Sequence, residues 1–303
     1  MNSKMITGAA RLTLYSQVGL RTPYAAEAAV KPVNRTHSKQ SLSSLRRMAI
    51  PGIQRLALFC ILLLLPALGM AQPGDTLRVL FVGNSFTFFW NLPQVVSAMA
   101  ESQGVAIRPR QSTVGGSSLE QHWKGEKGTN TRAIIEEGSW DYIVLQNHST
   151  SALETPESFR EYGRKFAELA RSKGAQPLYF TTWAYKSNPL MQPAITAAYA
   201  QLAQEVDAGL APVGPLWESV RRNRPDLELF FDDKHPTPVG TYLLGLALCK
   251  KLTGLSVMEI PDRLATTDRY GEKLYLLFVL PEDGAFLRQA VEEFDFEKHT
   301  GKN

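Results

Sequence analysis

The run LRVLFVGNSFT, Leu77 to Thr87, constrains the fold of this chain more than any other stretch. It is short, apolar and partly β-branched, and it stops abruptly at Gly83, Asn84 and Ser85. Such a run reads as a strand buried on both faces of a parallel sheet. The Gly-Asn pair turns the chain sharply after it. Ser85 is left at the carboxyl end of the first strand, where open α/β sheets bind their ligands. A serine hydroxyl is a weak nucleophile until a base takes its proton. The segment Asp232-Asp233-Lys234-His235-Pro236, far downstream, offers such a base in His235.

Between and beyond these two stretches, strands alternate with helices. Val105–Arg110, Tyr142–Leu145, Pro177–Thr182 and Leu210–Val213 read as further strands. A helix is expected from Pro93 to just before Gly104, with proline in its first turn and glycine past its end. Over Thr155–Ser172, Phe159, Tyr162, Phe166 and Leu169 recur at helical spacing. Helices also fit Gln192–Ala208, Pro238–Thr253 and Ala285–Phe294, with a short one at Trp217–Arg222. The alternation predicts an α/β fold, a three-layer α/β/α sandwich with a five-stranded, mostly parallel sheet. Residues 72–303 make one domain in this reading.

The residues ahead of that domain read as a leader. Met48 to Ala71 has the form of a signal peptide: Arg46, Arg47 and Arg55 supply charge, and Leu56–Leu65 is unbroken apolar core. Small residues Gly69 and Ala71 place cleavage before Gln72. The apolar stretch is short for a bilayer span of roughly 20 residues. Residues 1–47 are basic and unpatterned and read as an unstructured or mis-assigned extension. An extracytoplasmic location, periplasmic or secreted, follows, with no stable membrane insertion once the signal is cleaved. The leader also carries the formal charge of +4: it holds nine of the 33 Lys/Arg and one of the 29 acids, so residues 72–303 have 24 bases against 28 acids. An acidic body argues against nucleic acid as partner. Of the two cysteines, Cys60 lies in the leader and Cys249 in an apolar helical pattern, so no internal disulfide is expected in the mature chain.

Five histidines occur: His37, His122, His148, His235 and His299. His235 has the best context, because Asp232 precedes it by three residues and both side chains can converge from one turn. Pro236 and Pro238 stiffen that loop. With these residues in view, the sequence resembles the SGNH (GDSL-like) hydrolase superfamily, in a branch whose first block reads GNSFT. The resemblance covers most of residues 77–254 and implies a flavodoxin-like sandwich with Ser85 as nucleophile, Asp232 as orienting acid and His235 as general base. It also implies that Gly116, in VGGSSL, and the Ser85 backbone N–H help bind the oxyanion.

One block departs from the family pattern. A Gly-x-Asn-Asp is usual after the third strand, with its Asn donating to the oxyanion; here Gln146-Asn147-His148-Ser149 stands instead. Asn147 is the favoured donor, with Gln146 and neutral His148 as alternatives. Trp183 and Tyr185, after the fourth strand, and His148 are candidates for binding substrate, either by stacking on a sugar or, for the aromatics, as core packing. The leading expectation is a secreted ester hydrolase acting on O-acetyl or similar groups of carbohydrate, with no metal and no cofactor. A metal-dependent phosphoesterase using Asp232, Asp233, His235 and His148, or a non-catalytic carbohydrate-binding domain on a degenerate hydrolase fold, are the alternatives. His122 reads as a surface or packing residue.

Overall fold

The side chains of β1, Leu77–Gly83, point alternately to two separate cores. Val79 and Phe81 face one, and Leu80 and Val82 face the other, all without solvent exposure. The computed structural model describes residues 76–299. The expected extension 1–47, the signal peptide 48–71 and Cys60 lie outside the described residues. Strand β1 pairs in parallel with β2, Ile107–Thr113, on one side and β3, Tyr142–Leu145, on the other. Strands β4, Gln176–Phe180, and β5, Gly209–Ala211, extend the sheet in the order β2-β1-β3-β4-β5, every pair parallel. The architecture is a three-layer α/β/α sandwich around a five-stranded parallel sheet.

Parallel neighbours need crossovers, and here helices supply them. After β1 come one turn of helix, α1 (Ser85–Phe88), and α2 (Leu92–Glu101). Helices α3 (Leu119–Lys124) and α4 (Thr131–Glu137) lead to β3, α5 (Ser151–Glu154) and α6 (Pro156–Ser172) to β4, and α7 (Gln192–Glu205) to β5. Then follow α8 (Val213–Asn223), α9 (Pro238–Thr253) and α10 (Pro281–Glu293). One core joins β1 to α2, α8, α9 and α10, and the other joins it to α3, α6 and α7. The chain reverses direction across the sheet between β1 and β3. Their carboxyl ends therefore border the crevice where such sheets bind ligands.

Helix α9 is apolar nearly all round and is buried accordingly, Gly240 through Cys249 without a break. Thr237 caps it by accepting the Gly240 N–H at 3.0 Å, Pro238 opens it, and Gly254 closes it with φ +72°. Cys249 packs inside this helix, and burial pushes its thiol up to about 12. Strand β2 starts and ends later than the expected Val105–Arg110; it is an edge strand, which is how it tolerates Pro109. An antiparallel hairpin, β6 (Arg263–Thr267) with β7 (Lys273–Phe278), adds a second sheet that the sequence reading did not include. Its side chains do not alternate cleanly: Leu274, Tyr275 and Phe278 are exposed and Leu277 is buried. No described helix is long and apolar enough to cross a membrane.

Candidate active site

The turn after β1 is held from three sides. Asn84 donates its backbone N–H to Gln146 Oε1 at 3.0 Å and its side-chain Nδ2 to the Ser117 carbonyl at 2.9 Å. Its Oδ1 caps α1 by accepting the Phe86 N–H at 3.1 Å. Gly83 is required by close approach: a Cβ there would stand 2.4 Å from Gln146 Oε1 and 2.5 Å from Thr87 Oγ1. Ser85 is thus the first residue of a one-turn helix, half-buried at the sheet's carboxyl edge.

The downstream segment meets it there. His235 Nε2 lies 2.9 Å from Ser85 Oγ, and Nδ1 lies 2.7 Å from Asp232 Oδ2. Asp232 Oδ1 accepts the backbone N–H groups of Lys234 and His235, each at 2.8 Å. Partial burial pushes the Asp232 carboxyl up. The bonds from the His235 ring and these two backbone groups outweigh that and hold it at about 2. An ionised carboxylate on Nδ1 makes Nδ1 the protonated nitrogen and leaves Nε2 to accept from the serine hydroxyl. The loop closes on itself through Phe231 N–H to His235 O at 2.8 Å. Asp233 anchors it outward: its two oxygens take Ser187 N–H at 2.8 Å and Ser187 Oγ–H at 2.9 Å.

Aromatic rings surround this triad. Phe89 stacks on the His235 imidazole with centroids 4.3 Å apart and planes 8° apart. Phe86 meets the same ring edge-on at 6.1 Å and stacks on Trp183 at 4.2 Å. Trp183 in turn stacks on Trp217 at 4.6 Å and donates Nε1–H to the Lys234 carbonyl at 2.8 Å. Trp183, a candidate for stacking on substrate, is therefore a fully buried support beneath the histidine loop and offers no face to a ligand. Tyr185 is half-buried, its hydroxyl 2.7 Å from Ser149 Oγ and its ring under Lys234 Nζ.

The oxyanion candidates separate. Gly116 is exposed with φ +62°, a left-handed conformation that favours glycine, and its carbonyl accepts Lys127 Nζ at 2.9 Å. Asn147 Oδ1 accepts Leu119 N–H at 3.0 Å and His148 N–H at 2.8 Å, which turns its Nδ2 donor the other way. Gln146 is fully buried and faces inward. Its Oε1 braces Asn84 N–H and Thr87 Oγ1, and its Nε2 donates to the Asn147 carbonyl, so its amide holds the Ser85 turn. His148 is half-buried with Nδ1 3.4 Å from Thr150 Oγ1; burial lowers its pKa, Glu154 opposes this, and Lys234 and Lys127 add to it. It is neutral at physiological pH.

One histidine has a place that its sequence context did not reveal. His122 is buried, with Nε2 2.9 Å from the Gly83 carbonyl and 2.8 Å from Ser117 Oγ, and Nδ1 2.6 Å from Thr131 Oγ1. Ser112 Oγ extends this chain at 2.8 Å from Thr131 Oγ1. The network ties the Ser85 turn to the Gly116 loop from below. Of the four residues weighed as metal ligands, Asp232 and His235 meet, while Asp233 turns to Ser187. Among the described residues no three His, Cys, Asp or Glu side chains group as a metal site. A groove of about 580 Å³ along α6, lined by Arg160, Glu161 and Arg164 among others, shares no residue with the triad.

A scan against protein-family models finds no match, and neither does a search of curated proteins. Solved structures do match. A protein from Slackia heliotrinireducens, provisionally assigned to the SGNH hydrolases, superposes with a TM-score of 0.51 and 26% identity, covering 59% of this chain and 100% of the other. A DUF4886 family protein from Bacteroides uniformis gives a TM-score of 0.59 at 20% identity, over 72% of this chain and 94% of that one, a likeness of fold alone. An acetylxylan esterase from Geobacillus stearothermophilus matches more loosely, with a TM-score of 0.46 and 14% identity over 60% of this chain and 96% of the esterase, too loosely to carry an argument.

Proposed function

We propose that this chain, an SGNH-like hydrolase by its fold and its structural likeness, cleaves carboxylic esters through an acyl-enzyme on Ser85. The observation that supports this most is the Ser85–His235–Asp232 relay, with contacts of 2.9 and 2.7 Å. As Ser85 Oγ attacks the acyl carbon, its proton passes to His235 Nε2, which then protonates the leaving alcohol. Water repeats the sequence on the acyl-enzyme and restores the serine. Asp232 keeps Nδ1 protonated and faces the imidazolium as it forms. The oxyanion falls to the N–H groups of Ser85 and Gly116 and to Asn147 Nδ2. Two restraints support that set: Lys127 holds the Gly116 carbonyl, and two backbone donors orient the Asn147 amide.

The substrate in this reading is an O-acetyl or similar small ester on carbohydrate, met outside the cytoplasm. Export is supported by the signal-like segment 48–71. Tyr185 and His148 are the candidates for holding the sugar, on the support of their partial exposure after β4 and β3. The test is turnover of 4-nitrophenyl acetate, and acetate release from O-acetylated xylan, by the wild-type chain, Ser85→Ala and His235→Ala, with and without EDTA. Each substitution is expected to lower kcat about 10³- to 10⁶-fold, with no effect of chelator. Turnover that survives Ser85→Ala and is lost in EDTA would move the assignment to metal chemistry. Saccharide binding without turnover would move it to a binding domain.

A further inference from the structure

We infer that Phe89 is a positioning residue that holds the His235 ring and stabilises its charged form during turnover; this rests on the ester-hydrolase reading above. The two ring nitrogens of His235 are committed to Ser85 and Asp232. One face of the ring is covered by Phe89, at 4.3 Å and 8° from parallel, and Phe86 abuts it edge-on. The two rings that cover the base thus stand one and four residues after the nucleophile in the chain. No substrate contact is needed for Phe89 to act, because it acts through the imidazole.

The backbone shows that this stack is built and held. Phe89 has φ −55° and ψ 137°, and the chain then kinks through Trp90 and Asn91, whose φ values are +50° and +58°. Asparagine tolerates the left-handed region, but a residue as bulky as Trp90 is strained there and persists only where its surroundings over-determine it. Here Trp90 Nε1–H donates to the Pro236 carbonyl at 2.8 Å, fastening the turn to the residue after His235. The strained turn and the histidine loop are therefore tied directly to one another, and Phe89 is the side chain between them.

The chemistry follows from the charge on the ring. To act as a base the imidazole must be neutral, and in the transition state it has taken the Ser85 proton and is positive. No bond to Phe89 forms or breaks, and only that proton moves, from Oγ to Nε2. The face of a benzene ring is electron-rich and attracts a cation more than a neutral ring. An interaction stronger in the transition state than in the ground state raises kcat rather than lowering KM.

The test replaces Phe89 in the full chain by phenylalanines carrying one to five fluorines, which drain the ring face at nearly constant size. The readout is kcat and KM for 4-nitrophenyl acetate. Stepwise loss of kcat is expected, reaching about 3- to 30-fold at five fluorines, with KM held within about twofold. Phe89→Tyr and Phe89→Trp should keep most of kcat, and Phe89→Leu should fall as the pentafluoro ring does. A flat kcat across the fluorine series, or a rise in KM with kcat unchanged, overturns the inference; if Phe89→Leu does not fold, the fluorine series alone decides. Ser85→Ala as active as wild type in the same assay would instead signal failure of the ester-hydrolase reading.

Discussion

Asp232→Asn tests the relay at the point where structure and chemistry can be separated. Asp232 Oδ1 accepts two backbone N–H groups at 2.8 Å, so an asparagine there must keep its carbonyl oxygen on that side. Its NH₂ then replaces Oδ2 and faces His235 Nδ1 across the 2.7 Å contact. Nδ1 has to become the acceptor and the ring proton moves to Nε2, which points a donor at Ser85 Oγ and cannot take its proton. Restoring the productive tautomer forfeits a charge-assisted hydrogen bond, about 1.5–3 kcal/mol. Losing the carboxylate opposite the imidazolium adds about 1–4 kcal/mol at roughly 4 Å, depending on screening. The Asp232 side chain is 47% exposed, which favours the lower end of that range. Together these come to about 3–5 kcal/mol, or a fall of about 10²- to 10⁴-fold in kcat/KM for 4-nitrophenyl acetate. Because the two backbone bonds survive, Tm should move by no more than about 3 °C, whereas Asp232→Ala, which loses them, should melt measurably lower. An Asp232→Asn protein with more than about one-tenth of wild-type kcat/KM, at unchanged Tm, would refute the orienting role.

Other perturbations reach the supports of the site. Burial holds the His122 pKa below its unfolded value of 6.5, the bond to the Gly83 carbonyl raises it and Lys127 lowers it further. A depressed folded pKa gives stability that is full above 6.5 and is lost as pH falls from there toward the folded value. Urea midpoints should therefore drop more between about pH 7.5 and about pH 5.5 in wild type than in His122→Gln; parallel drops would remove His122 from the account. Gly83→Ala drives a methyl to 2.4 Å from Gln146 Oε1 and should destabilise the fold in urea by about 1–3 kcal/mol while disturbing the Ser85 turn; a neutral result would mean the Gln146 brace can yield. Asp233→Ala removes both bonds to Ser187, whereas Ser187→Ala removes only the hydroxyl one, so Asp233→Ala should lower kcat about 3- to 10-fold, Ser187→Ala less, and the double variant little beyond Asp233→Ala. A larger loss in Ser187→Ala than in Asp233→Ala would contradict the clasp.

Much of the molecule was legible from local pattern. A buried parallel strand requires an uninterrupted apolar run, so β1, β3 and β4 announced themselves, and the five strands of the central sheet followed. Caps are equally local: Pro238 and Gly254 bound α9 because one lacks an N–H and the other tolerates positive φ. The D-x-x-H spacing was readable for the same reason, since one turn holds both side chains. Legibility failed where a role depends on partners distant in sequence. Gln146 and Asn147 are adjacent polar residues at the end of one strand, yet Gln146 turns to Asn84 and Thr87 while Asn147 turns to Leu119. Trp183 and Tyr185 follow the same strand, and only packing against Phe86 and Trp217 makes the first a core residue.

By itself the sequence determined which segments are strands of the central sheet, where the chain turns after Leu77–Val82, and that a serine and a D-x-x-H pair stand at turns, because each depends on residues within a few positions of one another. The tertiary structure decided that Ser85 and His235 meet across 150 positions, that Phe89 lies over the imidazole, and that His122 is a buried strut and not a surface residue. Those outcomes depend on which faces the sheet brings together, and a side chain's partners across such a crevice are set by packing and hydrogen-bond completion, to which sequence spacing carries no signal.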